Sequence, residues 1–253
     1  MGLAAGFPER HWYRTSALSL ALWPASLVFG AVVAGRRALY RAGVFAADRL
    51  PVPVVVVGNL VAGGAGKTPL TLWIATALRR RGYAPGIVSR GYGGSDAGPA
   101  EVPPGGDYRR FGDEPVLLAE AGGCPVWIGR RRAAAARALL QAHPSCDVIL
   151  CDDGLQHYAL ARDVEIAVED ARGHGNGFLL PAGPLREPAG RKVDAVVVNG
   201  AAGGYAMRLE SAGLYRVGGA AGAVPLAGLA GLRLHAVAGI GHPQRFFDTL
   251  RAL

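Results

Sequence analysis

Short runs of consecutive apolar residues recur along this chain, separated by segments in which apolar positions return every three or four residues. Val54-Val55-Val56-Val57, Val148-Ile149-Leu150-Cys151 and residues 86–89, 125–128, 164–168 and 194–198 are too short for helices and read as buried strands. Between them, residues 68–81 carry Leu70, Ile74, Ala77 and Leu78 on one helical face and close on Arg79, Arg80 and Arg81 before Gly82. Helices are also predicted over 113–121 and from 130 to about 143. Strands alternating with helices predict an α/β fold, with a mostly parallel sheet, helices on both faces and ligands at the carboxyl ends of the strands.

Two stretches break this rhythm. Residues 91–106, rich in Gly and Pro, read as a loop that covers a site. Residues 200–231 turn rich in Gly and Ala and read as a linker, after which a strand over 234–238 and a helix over 243–250 begin an incomplete second α/β domain. The predicted division is a membrane-associated helical segment at 1–46, a core at 47–199, the linker at 200–231 and the start of a further domain at 232–253.

The turn after the first strand narrows the chemistry most. It runs through Val61, Ala62, Gly63, Gly64, Ala65 and Gly66 to Lys67 and Thr68, where a helix is predicted to begin. Backbone N–H groups at such a strand-to-helix turn converge on an anion, which makes the fold P-loop NTPase-like and the turn a triphosphate cradle. Of the 27 basic residues only Lys67 and Lys192 are lysines, and one of them stands where a compact point charge must reach phosphates. The pattern asks for glycine where this chain has Val61, so the loop is a variant; the competing reading is an ordinary glycine turn.

A nucleotide site also needs hard oxygen ligands for Mg2+, and Thr68 with a carboxylate at the end of a neighbouring strand supplies them. Asp152 and Asp153 end the run 148–151 and are candidates; an Asx turn before Gly154 is the alternative. Asp113 is read either as a helix N-cap or as a base facing the site. Arg186 and Glu187, held between Pro184 and Pro188, either aim at a phosphate and its metal or form a surface loop. His157 is read as contacting substrate or capping a turn, the turn being the simpler reading.

Composition sets limits. The chain has 253 residues, about half of them hydrophobic, enough for one substantial core with a smaller appendage. Its net charge of +8 suits an anionic membrane surface or phosphorylated substrates. Aromatic residues are not interleaved with basic ones as in a stacking platform, so nucleic acid is set aside as a partner. Cys124, Cys146 and Cys151 lack metal-site spacing and read as small buried apolar residues. Residues 17–34 carry no charge and are flanked by arginines on both sides, which places this segment at a membrane, spanning it or lying in its interface. A buried core helix and a cleaved signal peptide are the rival readings. Nothing in the sequence signals an oligomeric state.

Together these motifs resemble the tetraacyldisaccharide 4'-kinase family of lipid A biosynthesis. The resemblance rests on the phosphate loop ending in Gly66-Lys67-Thr68-Pro69, on Ser89-Arg90-Gly91-Tyr92-Gly93-Gly94, on Gly112-Asp113-Glu114-Pro115 and on Asp152-Asp153-Gly154-Leu155-Gln156-His157. It continues through Gly175-Asn176-Gly177, Leu180-Pro181-Ala182-Gly183-Pro184-Leu185-Arg186-Glu187 and Ala238-Gly239-Ile240-Gly241-His242-Pro243. It implies transfer of the γ-phosphoryl group of ATP to the 4'-hydroxyl of an acylated glucosamine disaccharide 1-phosphate lipid. By matching motif, Lys67 binds the β- and γ-phosphates within a nucleotide site spanning Val61 to Thr68. Thr68, Asp153 and Glu187 hold Mg2+, and Asp113 handles the hydroxyl proton, supported by Asp152 and Arg186. The cytoplasmic face of the inner membrane is the implied location, with the chain peripheral or singly anchored by its N-terminal helix. Family members continue into a further segment carrying a histidine partner for the catalytic aspartate, so the resemblance also leaves a nucleotide-binding module without turnover, or a kinase of a soluble substrate, as alternatives.

Overall fold

The computed structural model describes residues 11–200, 204–210, 213–215, 223–225, 229, 231–240 and 243–252. Among these, β1 (Val54–Gly58) is an interior strand of an eight-stranded sheet. The chain continues through α2 (Lys67–Arg80), which follows the N-terminal α1 (Ala17–Arg41), then β2 (Pro85–Ser89), β3 (Ala100–Glu101), α3 (Tyr108–Phe111), α4 (Asp113–Gly122) and β4 (Val126–Ile128). It goes on to α5 (Arg132–Ala142), β5 (Val148–Asp152), β6 (Val164–Asp170), β7 (Ala195–Asn199), β8 (Tyr205–Met207), β9 (Leu214–Tyr215), β10 (Ala223–Val224) and α6 (Pro243–Ala252). The strand order is β3-β4-β2-β5-β1-β6-β7-β8, parallel throughout except for the β3–β4 pair.

The continuous apolar runs form strands covered on both sides, and the period of two decides which core each residue joins. Val54, Val56, Val88, Ile149 and Cys151 point to the face covered by α5, with Ala136 and Leu139. Ile87, Leu150, Val126 and Ile128 point to the opposite face, with Ala75 of α2 and Leu118 of α4. Cys146 and Cys151 are buried and Cys124 partly so, as the sequence predicts, and burial first of all pushes the Cys151 thiol up to about 11.

Three features differ from the sequence reading. The sheet does not stop at 199, because β8 pairs in parallel with β7 inside the glycine-rich stretch. Its three residues are too few for periodicity to reveal. The loop at 91–106 contains β3, which closes the sheet edge antiparallel to β4. Residues 234–238 form no strand among the described residues, although α6 follows. Gly241 and His242 lie outside the described residues.

Helix α1 is laid on the body by its small polar face. Ser16 and Ser19 form a capping box, and Ser19 and Ser26 are its buried residues. The Ser26 hydroxyl donates to Leu179 O (2.8 Å) and accepts from Ala182 N (3.0 Å), while the Trp12 indole donates to Pro181 O (3.0 Å). The apolar residues Leu20, Leu27, Val28 and Val32 face outward, each more than half exposed. Among the described residues α1 is the helix long and apolar enough to cross a membrane, by length and composition.

Candidate active site

β1 and β5 are adjacent, and their register sets Val57 opposite Asp152. The turn leaving β1 and the acidic pair leaving β5 therefore meet at the carboxyl edge of the sheet, where parallel α/β folds bind ligands. The turn is braced from three sides. Asn59 Nδ2 donates to Gly63 O (3.0 Å), Arg172 Nη2 to Gly64 O (2.9 Å) and Asn199 Nδ2 to Ala65 O (2.9 Å). Gly66 holds the N-cap of α2 at φ 102°, and a Cβ there would stand 2.6 Å from Asn199 Nδ2, so both conformation and space demand glycine. No side chain caps α2, which leaves the amides of its first turn directed at the cavity as an anion-binding end.

A cavity of about 1310 Å³ opens over this turn. Gly63, Gly64, Ala65, Gly66, Lys67 and Thr68 all line it, as do Asp113, Asp153 and Arg186. Lys67 is 8% exposed, and its Nζ lies 3.3 Å from Asn59 Oδ1 and 3.5 Å from Asp153 Oδ1. Asp153 adopts a left-handed φ of 48°, unusual for a non-glycine residue, which turns it out of the strand into the cavity. Burial works to raise its carboxyl, but Lys67, Arg186 and Arg132 together overcome that and hold it below the ordinary range. The Arg186 guanidinium sits 3.1 Å from Asp153 Oδ1.

Asp152 has the opposite environment. It is fully buried, does not line the cavity, and accepts from Thr71 Oγ1 at 3.0 Å and Thr68 Oγ1 at 3.5 Å. Burial first, then the charge of Glu114, raises its carboxyl to about 6. Two adjacent carboxylates are thus split, one charged and facing the cavity, one sequestered beneath the Thr68 hydroxyl.

Asp113 is the first residue of α4 rather than its cap, since Gly112 holds the cap position at φ 90°. Its carboxylate is exposed, accepts from Glu114 N (3.0 Å), and lines the cavity.

Besides Asp152, three predicted residues stand off the cavity wall. Val61 and Ala62 do not line the cavity. They are laced antiparallel to the Pro184–Arg186 segment, with Val61 bridged to Leu185, Ala62 N donating to Pro184 O (2.7 Å) and Arg186 N to Leu60 O (2.7 Å). This lacing carries Arg186 to the site, and Val61 packs into the core because it is apolar. Glu187 is fully buried and also absent from the cavity wall. Its Oε1 accepts from Arg191 (2.7 Å) and its Oε2 from Tyr158 (2.6 Å), the pairing that a buried carboxylate requires. Sequence reasoning gave no role to Asn59, Asn199, Arg172 or Glu114, or to the arginines Arg36, Arg90, Arg130 and Arg132 that line the same cavity. Glu114 and Arg90 lie within the motif blocks, which was the available signal.

The donor set suits Mg2+, which takes one or two carboxylates and completes its shell with phosphate and water oxygens. Thr68 Oγ1 and the Asp153 carboxylate are hard oxygens beside the phosphate turn. Among the described residues no cluster of three or more His, Cys, Asp or Glu forms a protein-only metal cage, and none is needed for that mode.

A family model described as tetraacyldisaccharide-1-P 4'-kinase matches residues 18–253. Proteins called tetraacyldisaccharide 4'-kinase are similar to the chain: that of Acidovorax sp. (strain JS42) is 52% identical over 246 residues, covering 95% of this chain and 72% of the relative. That of Aromatoleum aromaticum is 54% identical over 252 residues, covering 94% and 75%. The fold is similar to a crystal structure of the "apo" form of LpxK from Aquifex aeolicus in complex with ATP, at 34% identity and TM-score 0.65, over 72% of this chain and 58% of that one.

Proposed function

This chain belongs to the tetraacyldisaccharide-1-P 4'-kinase family, and on that premise we propose that it moves the γ-phosphoryl group of ATP to the 4'-hydroxyl of an acylated glucosamine disaccharide 1-phosphate in lipid A biosynthesis. The observation that carries this reading is the braced glycine turn with Lys67 at its end, opening on the same cavity as Asp113 and Asp153. Phosphoryl transfer asks mainly for positioning and charge neutralisation, and these groups supply both.

The amides of residues 63–68 cradle the triphosphate, and Lys67 neutralises the β- and γ-oxygens. Thr68 and Asp153 would hold Mg2+, which would supply charge neutralisation for the transferring group. Asp152 orients the Thr68 hydroxyl from below. Arg186 keeps Asp153 charged and faces the phosphates. Asp113 accepts the proton of the acceptor's 4'-hydroxyl as that oxygen bonds to the γ-phosphorus and the bond to ADP breaks. Glu187, with Arg191 and Tyr158, braces the loop that carries Arg186 rather than holding metal.

Helix α1 lies in the membrane interface. Its small polar face is taken by the body, so the apolar residues opposite enter the lipid, and the cavity stays at the surface where acyl chains of the acceptor remain in the bilayer. ATP supply sets this at the cytoplasmic face. Transfer of labelled phosphate from ATP to the lipid acceptor, compared with the same disaccharide stripped of its acyl chains, tests the reading. The lipid is expected to be phosphorylated preferentially; equal use of both would make it a kinase of soluble sugars, and nucleotide binding without transfer to either would make it a binding module.

A further inference from the structure

The turn that follows β5 is gripped by two parts of the chain far apart in sequence. On one side stands the loop at residues 186–191. The Tyr158 hydroxyl donates to Glu187 Oε2 (2.6 Å), and Arg191 Nη1 donates both to Glu187 Oε1 (2.7 Å) and to Leu155 O (3.2 Å). The same two segments meet again at the cavity, where Arg186 Nη1 lies 3.1 Å from Asp153 Oδ1. Residues 153–158 and 186–191 are thus tied once in the core and once on the cavity wall, so the inner tie helps to set the geometry of the outer one.

On the other side stands the C-terminal end of α1. The Tyr40 and Tyr158 rings pack with centroids 5.8 Å apart. Phe45, where the chain folds back so that its amide donates to Leu39 O, meets the Tyr40 ring edge-on at 5.3 Å. The Arg36 guanidinium lies 5.7 Å from the Tyr40 centroid and 5.4 Å from that of Tyr158, and it donates to Gln156 O (3.1 Å). Arg162 and Arg191 stand 5.5 and 5.6 Å from the Tyr158 centroid. Rings stacked at this spacing, with cations beside them, are held in one orientation.

The Tyr158 hydroxyl therefore points where α1 lets it point. Glu187 is fully buried, so its carboxylate must follow its donors or lose one of them at a cost. Arg186 is the preceding residue, and its guanidinium follows the backbone of Glu187. The outward residues Leu20, Leu27, Val28 and Val32 take no part in these contacts, which gives α1 a body-facing duty separate from anchoring.

We propose that Tyr40 is a positioning residue for the site: through the ring of Tyr158 and its hydrogen bond to Glu187, the C-terminal end of α1 sets Arg186 against Asp153. This rests on the proposed kinase reading, which gives Asp153 and Arg186 their roles.

The test is calorimetric titration of ATP, with and without Mg2+, into the wild type, Tyr40→Leu, Tyr40→Phe, Tyr158→Phe, Arg186→Gln and the double variant Tyr40→Leu with Arg186→Gln. Detergent micelles replace the bilayer, so anchoring does not enter. Tyr40→Leu and Tyr158→Phe are expected to weaken MgATP binding about three- to tenfold, the scale of one disturbed hydrogen bond to a charged group, and to leave metal-free ATP affinity within about twofold. Tyr40→Phe, which keeps the ring, should match the wild type. On the Arg186→Gln background Tyr40→Leu should add less than about twofold, because the group it positions is gone. Wild-type MgATP affinity in Tyr40→Leu, an equal loss with and without Mg2+, or the same loss on both backgrounds would overturn the proposal. A wild type that gives all of these binding results and transfers no phosphate to the lipid would instead overturn the kinase reading and leave the positioning role standing.

Discussion

Lys67 Nζ lies 3.5 Å from Asp153 Oδ1, so the single buried amine of the phosphate turn and the cavity-facing carboxylate neutralise each other. In the proposed reaction phosphate oxygens take over Lys67, and Asp153 is then released toward a cation. Asp153→Asn should therefore lower thermal stability in the absence of nucleotide, because Lys67 keeps its burial and loses its counter-charge. It should also shrink the gain in ATP affinity on adding Mg2+, by roughly tenfold or more. Calorimetric titration of ATP with and without Mg2+ checks this; an undiminished Mg2+ effect would remove Asp153 from the metal.

Asp152 titrates at about 6 rather than near 3.8, so the folded chain holds that proton more tightly than the unfolded chain. The stabilisation this gives is complete below about pH 3.8 and is lost as pH rises past about 6. Asp152→Asn, which cannot ionise, should melt a few degrees above the wild type at pH 8, with the gap closing at acid pH, roughly as one to two kcal/mol shifts a domain of this size. The same variant should transfer phosphate poorly, because the ionised carboxylate no longer orients Thr68. Melting curves from pH 4 to 8, without nucleotide or metal, decide it; a lower melting point at pH 8 would contradict the assigned burial cost.

Glu187 and Arg191 are a buried pair, and removing one side strands the other. Glu187→Ala should lower unfolding free energy by roughly 3 kcal/mol, the low end of the range because Glu165 still accepts from Arg191 at 2.5 Å. Urea unfolding measures this. A variant of wild-type stability that had lost only its Mg2+ response would restore Glu187 as a metal ligand.

Much of the fold was legible because buried parallel strands write themselves as unbroken apolar runs, as at residues 54–57 and 148–151. The phosphate turn was legible because its glycines and Lys67 are contiguous. What escaped was whatever depends on assembly. Arg36, Arg90, Arg130 and Arg132 come from a helix, two strand ends and another helix, and share a wall only once the strand order is known. Glu187 sits next to Arg186 in sequence, yet one faces the cavity and the other the core, a distinction that no local pattern between the two prolines encodes. β8 escaped because its three residues lie among glycines and carry no alternation.

Helix α1 exposes Leu27 and Val28 while Ser19 and Ser26 face the body, the reverse of a helix packed by its apolar side. Replacing Leu27 and Val28 together by Glu should abolish co-flotation with anionic vesicles and leave MgATP binding intact. Alkaline carbonate should release the wild type from membranes; resistance to it would mean that the helix spans.

The central claim is that the turn at residues 63–68 grips the triphosphate of ATP. Equilibrium binding of MgATP to the wild type, Lys67→Ala and Asp113→Asn tests it most directly. Saturable binding by the wild type, a loss of about tenfold or more in Lys67→Ala and unchanged affinity in Asp113→Asn are expected. Equal affinity in Lys67→Ala, or no binding by the wild type, would contradict it.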